Sequence, residues 1–201
     1  MNNAVDLGRD THAAILQAAA DLFAERGFDA VSVREIVEAA GLTKPALYYH
    51  FGNKEGLARA IVEGLAGRAD AIRRAAFAEC ADARAAITRT TAEMLDLAQS
   101  ERAGLAFSFS LLFGRSGMAS LLGLVNEYHA RVWAEWHAYL LGTGLSEPQA
   151  GRVVRLLWAL LMQELLRVAH CPQWKGDREQ TAREIASLVL DGALAPQKEH
   201  S

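Results

Sequence analysis

The chain has 201 residues, 51% of them hydrophobic, and a formal net charge of −3. It is long enough to bury a core but too acidic to hold nucleic acid by bulk charge, so any DNA binding must come from a local patch. Cys80 and Cys171 fit neither a disulfide framework nor a zinc pattern, and reduced thiols are expected. Met1 to Gly8 carries no secretory signal, and the apolar run from Val153 to Val168 is broken by Arg155, Gln163, Glu164 and Arg167. A cytoplasmic protein without a membrane span is the expectation.

With only 4 prolines and few β-branched runs, the composition favours helices throughout. Asp10 is the expected N-cap of a first helix, Thr11 to about Arg26, whose buried face is Ile15, Ala18, Ala19, Leu22 and Phe23 and whose end is Gly27. Ser32 and Glu35 form a capping box opening a second helix, which stops at Gly41 with Ile36 and Ala40 facing inward. Thr43 restarts the chain, with Lys44 and Pro45 in the first turn, where proline is tolerated. Leu47 and Phe51 are the buried face of this third helix. Gly52 ends it, and Asn53 caps a fourth, Lys54 to near Ala78. Further helices are expected over about Ala81–Gln99, Ser100–Phe113, Met118–Leu141, a Ser146-capped segment to His170, and an Asp177-capped segment to Leu194. Gly114-Arg115-Ser116-Gly117 reads as a break, and Ala195 to Ser201 as a fraying end.

Ser32 to Phe51 thus reads as helix, short turn, helix, the arrangement whose second helix can enter a major groove. Helical hairpins are common, and spacing alone leaves DNA binding and simple packing both open. The stretch Leu42 to Lys54 holds Lys44, Lys54, Tyr48, Tyr49 and His50, and no acid. Each lysine can pair with a phosphate, tyrosine hydroxyls can donate to phosphate oxygens, and the N–H groups at Lys54 to Leu57 can face another. Taken singly, the tyrosines fit amphipathic packing and the lysines fit a solvated surface.

The ordered runs Phe23-Ala24-Glu25-Arg26-Gly27-Phe28, Ser32-Val33-Arg34-Glu35-Ile36, Ala39-Ala40-Gly41-Leu42-Thr43-Lys44 and Leu47-Tyr48-Tyr49-His50-Phe51, followed by Lys54-Glu55 and Leu57, resemble the TetR family of bacterial transcriptional regulators. The resemblance covers about the first quarter of the chain. It implies an all-α fold: a three-helix helix-turn-helix DNA-binding domain over 9–55, joined to a larger helical effector-binding and dimerisation domain over 56–195. It also implies that Thr43, Lys44, Pro45 and Ala46 read bases and that Tyr48 and Lys54 contact phosphate. Arg34 matches a position reaching backbone or base, and Tyr49 and His50 are further candidate contacts. Chemically, Lys44 can donate to guanine, and Pro45 and Ala46 can touch a thymine methyl.

One short helix reads few base pairs, so a homodimer on an inverted-repeat operator is expected. The last two long helices are the candidate interface, since Val153, Leu156, Leu157, Leu160, Leu161, Leu165 and Val168 exceed one packing face and Ile185, Leu188 and Val189 add a second stripe. A wholly internal core is the alternative there. His129, Trp133, Trp136 and Leu140, at spacings of four, three and four, share a helical face, and Phe107, Phe109 and Phe113 lie on the preceding helix. They form either plain core or, as the ligand-responsive family implies, an apolar pocket for a small apolar or aromatic effector. The family also implies repression relieved by a shift of the fourth helix, for which Gly56, Gly64 and Gly67 are the local support.

No nucleophile elbow, P-loop, Rossmann glycine pattern or zincin motif is present, so neither an enzyme nor a cofactor or metal requirement is expected. A helical ligand-binding or protein-interaction module without DNA readout is the competing class. It leaves the ordered Lys44 to Lys54 motif unexplained.

Overall fold

Local capping chemistry sets most helix boundaries. The computed structural model describes residues 3–113, 119–171, 173, 174 and 176–194, without the side chains of 3–9, 113, 119, 193 and 194. The expected break at 114–117 and the fraying end at 195–201 lie outside the described residues. Nine helices and no strand occur among those described: α1 (Asn3–Arg26), α2 (Val33–Ala39), α3 (Lys44–Phe51), α4 (Lys54–Glu79), α5 (Ala83–Ser100), α6 (Arg102–Phe113), α7 (Ala119–Gly142), α8 (Glu147–His170) and α9 (Arg178–Leu194).

At α2 the Glu35 carboxylate accepts from the Ser32 backbone N–H at 2.8 Å and from its hydroxyl at 2.7 Å. These bonds, with the Arg26 guanidinium at 2.7 Å, hold its pKa down to about 2. Asn53 caps α4 through its Oδ1, which accepts from Gly56 N–H at 2.7 Å. Gln149 closes the α8 cap onto Ser146, and Asp177 accepts from the N–H groups of Glu179 and Gln180 at α9. One expected boundary is corrected. α1 starts at Asn3, so Asp10 lies inside the helix and caps nothing. Nothing from Ala4 to Arg9 stops propagation except Gly8, which costs only about 1 kcal/mol in a helix interior.

The chain forms two compact units, Met1–Gly67 with Glu101–Asn126, and Arg68–Ser100 with Glu127–Ser201. The first therefore runs past residue 55 and takes in α6 and the start of α7. Its core joins Ile15, Ala19 and Phe23 of α1 to Ile36, Leu47, Leu57, Ile61, Phe107 and Leu121. Phe23 and Phe107 rings lie 5.1 Å apart, which fixes α6 along α1. Without α6 and the α4 residues, the three-helix head would expose that face. The core of the second unit joins Ala76, Ile87, Trp136, Leu140, Val153, Leu157, Ile185 and Val189 from α4, α5, α7, α8 and α9.

The α3–α4 junction is tight. Gly52 adopts φ +75°, and Gly56 sits so close to α3 that a Cβ there would enter the Phe51 carbonyl oxygen. Gly56 is thus a packing glycine, whereas Gly64 and Gly67 have open space around them. Gly56→Ala is expected to destabilise the protein by about 1–3 kcal/mol, the usual range for overpacking, measured by denaturant unfolding. Gly64→Ala should be neutral or stabilising in the same measurement.

Candidate functional site

α3 divides cleanly into a packed and an open side. Leu47 is fully buried and Phe51 half-buried against α1 and α2, while Thr43, Lys44, Pro45, Tyr48 and Tyr49 are exposed. Tyr49 is 85% exposed, far more than a tyrosine needed for packing. Ala46 is half-buried and packs on the core edge. Thr43 is the N-cap residue, but its side chain makes no capping bond. Gly41, at φ +66°, turns the chain sharply between α2 and α3. The outcome is a short helix whose first turn projects a hydroxyl, an ammonium and an apolar ring with nothing of this unit in front of them.

Charges around this face are largely neutralised within the protein. Arg34 bonds Glu38 at 2.6 Å along α2, both exposed, and Glu35 is consumed by the Ser32 cap and Arg26. Lys44 has no ion pair among the described residues. His50 packs edge-on against His12 of α1 at 5.7 Å and against Tyr49 at 5.1 Å. Burial, with the neighbouring His50 adding to it, holds the His12 pKa below its ordinary value.

Lys54 has a different setting from the other expected contacts. Its Nζ donates to the Phe28 carbonyl at 2.9 Å and the Val31 carbonyl at 2.8 Å, and lies 4.1 Å from the centre of the Phe28 ring. Two of its three N–H donors are therefore spent inside the protein, leaving one. Spacing in the sequence could not reveal this, because Phe28 and Val31 lie on the connector before α2, over twenty residues away.

In the second unit, His129, Trp133 and Trp136 line a cavity of about 60 Å³ together with Trp158, Met94 and Met162. Phe107 does not line it. That ring is fully buried in the core of the first unit, against Phe23. Phe109 is also buried and is not among the lining residues, and the Phe113 side chain lies outside the described residues. Alternate positions on one short helix face different neighbours, which periodicity does not distinguish.

Sequence reading missed the ion set that holds Arg73, a lining residue of the cavity. Arg73, only 3% exposed at its side chain, bonds Asp70 at 2.8 Å and also Glu135. Arg131 bonds Asp70 at 2.8 Å and Glu135 at 3.3 Å. Burial alone would raise both carboxyl pKa values, but the two guanidinium groups overcome it and hold them below the ordinary range. Asp70–Arg73 and Arg131–Glu135 are local pairs within α4 and α7, and their meeting across the two helices is a tertiary event.

The N-terminal part, residues 15–61, matches the family model for bacterial regulatory proteins of the tetR family. Along nearly its whole length the chain is similar to the HTH-type transcriptional repressor KstR2 of Rhodococcus jostii (strain RHA1), 38% identical over 196 residues that span 94% of this chain and 93% of that protein. The chain belongs to the TetR family. It is a DNA-binding transcriptional regulator and not an enzyme. The TetR-family fold is also seen in two solved structures. The ketosteroid transcriptional regulator KstR2 of Mycobacterium tuberculosis has a TM-score of 0.71, is 20% identical, and the match covers 90% of this chain and 93% of that one. The TetR-family regulator PfmR of Thermus thermophilus has a TM-score of 0.68, is 23% identical, and the match covers 88% of this chain and 93% of that one. No helix among the described residues of this TetR-family chain is long and apolar enough to cross a membrane.

Two outcomes follow from the geometry of this TetR-family protein. Lys54→Met keeps the apolar stem and removes the carbonyl bonds, so it should lower the melting temperature while changing the salt slope of DNA binding by less than one. A slope reduced by about one with an unchanged melting temperature would instead make Lys54 a phosphate ligand. Asp70 and Glu135 have depressed pKa values when folded, so their stabilising contribution is full above the ordinary carboxylate range, about pH 4, and is lost as pH falls through the folded values. Asp70→Asn should lower stability at neutral pH and flatten that acid-side loss, read as unfolding free energy against pH.

Proposed function

We propose that the chain is a dimeric repressor that reads an inverted-repeat operator with the first turn of α3 and leaves it when a small apolar or aromatic effector enters the second unit. The observation that carries the DNA reading is the open side of α3. Thr43, Lys44 and Pro45 are exposed while Leu47 anchors the helix from behind. Lys44 donates to a guanine edge or a phosphate, Pro45 and Ala46 touch a thymine methyl, and Tyr48 and Tyr49 donate hydroxyl bonds to phosphate. Arg34 is exposed and held by Glu38 alone, so it can exchange that partner for the backbone. His50 and the remaining N–H of Lys54 sit at the edge of the same surface. Repression, rather than activation, is supported by the similar Rhodococcus jostii repressor.

The dimer reading rests on α8 and α9. Val153, Leu157, Leu161, Leu165, Val168, Ile185 and Val189 are consumed by the internal core, but Leu156 is 42% and Leu188 61% exposed. Leu160 is half-buried beside them. These residues leave an apolar strip that a second copy would cover, setting two α3 helices on successive turns of a duplex.

The effector reading rests on the aromatic cavity, with α4 as the connecting part. α4 contributes Ala69 and Arg73 to the cavity wall, and its first turn is tied at Lys54 to the connector before α2. A ligand that fits only a wider cavity moves α4, and the tie carries the movement to α3. Selection of bound duplexes from a random pool should return an inverted repeat. Lys44→Ala should then weaken binding to the selected duplex and lower the salt slope by about one if it meets phosphate, or relax one position at a cost of about 1–3 kcal/mol if it meets a base. Recovery of no motif at low salt would overturn the reading.

A further inference from the structure

A buried hydroxyl in the lining of the second unit's cavity has no hydrogen-bond partner in the protein. Thr90 is 4% exposed and lines the cavity, and its Oγ1 has no hydrogen-bond partner. A helical threonine usually returns its hydroxyl to a backbone carbonyl one turn earlier, and buried hydroxyls are rarely left without a partner. Arg73, the charged residue of the lining, belongs to a set in the opposite state. Asp70 and Glu135 each bond both Arg73 and Arg131, and Asp70 also meets the exposed Arg74 at 3.5 Å. An anion entering here would have to break that set, and a cation would find its carboxylates already taken.

Apart from Arg73, His129 and Tyr128, whose hydroxyl meets Arg73, the remaining lining is apolar and adaptable. Trp133, Trp136 and Trp158 present ring surface, and Met94 and Met162 are unbranched side chains that can be displaced at little cost. The existing space of about 60 Å³ holds only a water or two, so a ligand must open it by moving such side chains. His129 stands in the same wall, edge-on to Trp158 at 4.6 Å. Burial lowers its pKa, so at neutral pH it is uncharged, with one donor and one acceptor nitrogen.

We infer that the cavity takes an uncharged ring compound bearing a single hydroxyl or carbonyl oxygen, with Thr90 Oγ1 as the partner of that oxygen and the tryptophans as the ring platform. This rests on the reading of the cavity as the effector site and specifies the chemistry that site accepts. Thr90 is then a specificity residue: it discriminates an oxygenated ring from its parent hydrocarbon, because the hydrocarbon leaves the hydroxyl unsatisfied. Arg73, the member of the ion set that lines the cavity, is already held by Asp70 and Glu135, which disfavours the carboxylate analogue.

The test is equilibrium dialysis of the full chain against naphthalene, 2-naphthol and 2-naphthoate, each quantified by its own absorbance. The expected order is 2-naphthol tightest. Thr90→Val should weaken 2-naphthol by about fivefold to tenfold, the scale of one hydrogen bond, and leave naphthalene unchanged, while Thr90→Ser should retain the preference. Equal binding of the three probes overturns the inference. So does tightest binding of 2-naphthoate, an unchanged 2-naphthol affinity in Thr90→Val (the hydroxyl then serving a trapped water), or no saturable binding of any probe. Release of the selected duplex by 2-naphthol is measured separately. Thr90-dependent binding without release supports the ligand class and removes the effector reading. Failure of all three probes with duplex binding intact removes the ligand class and leaves the DNA-binding regulator in place.

Discussion

The first turn of α4 is the constraint on which the geometry of the first unit depends. Three separate features act on four consecutive residues. Asn53 Oδ1 caps the helix, Lys54 bonds the carbonyls of Phe28 and Val31, and Gly56 admits the Phe51 carbonyl. α3 therefore ends where α4 begins, with no slack between them, and the connector leading into α2 is tied to the same point. A half-buried ammonium is costly if unpaired. Here it is answered by two carbonyls and an aromatic face, so the lysine holds the chain together instead of straining it. The helix-turn-helix and the start of α4 behave as one piece for this reason.

That piece carries little free charge. Glu35 and Glu38, which lie nearest the reading face, are committed to Ser32, Arg26 and Arg34. Their fields are largely cancelled locally, so the acidic character of the chain as a whole does not oppose a phosphate at α3. The same pairing occupies Arg26, and Arg34 can reach a phosphate only by leaving Glu38. Lys44 and the hydroxyls of Tyr48 and Tyr49 remain. With the proposed contacts, such a surface would displace few counterions, which would lower non-specific affinity and leave discrimination to contacts in the groove. A dimer then contributes affinity by doubling those contacts instead of strengthening each one.

Much of this was legible in the residues because it is local. Ser32 with Glu35, Asn53 before Lys54, Ser146 with Gln149, and Asp177 all act within one helical turn, and each cap forms as spacing indicates. The family, the all-helical fold and the position of the reading helix were legible through an ordered motif of the same short range. What was not legible is long-range. Phe107 was grouped with Trp133 and Trp136 as one more aromatic, yet its neighbour is Phe23, over eighty residues away. Lys54 was read as a phosphate contact, and its bonds to Phe28 and Val31 were not legible because carbonyl partners have no side-chain signature. Asp70, Arg73, Arg131 and Glu135 each suggest an ordinary i,i+3 or i,i+4 pair, and only the packing of α4 on α7 makes them one set. Asp10 failed as a cap for the opposite reason: a capping residue stops a helix only where the preceding segment prefers something else, and Asn3 to Arg9 does not.

The smallness of the cavity bears on how the proposed switch could work. A pocket already wide enough for its ligand binds without moving its walls, and a ligand with equal affinity for two states shifts nothing. At about 60 Å³ the cavity is well below the roughly 300 Å³ of a small-molecule site, so any ring-sized ligand favours a state in which the wall has moved. Differential affinity is then unavoidable. Its direction depends on which wall yields. The methionines yield without consequence for the backbone, whereas Ala69 and Arg73 belong to α4, and Arg73 is held by Asp70 and Glu135. The ion set thus decides whether the ligand's energy is absorbed by flexible side chains or transmitted along α4. A rigid set makes α4 and α7 move together, and a weakened one would let the cavity open locally. In the proposed switch, coupling between effector and DNA would therefore depend on Arg73 and the charged residues that hold it as much as on the rings of the cavity.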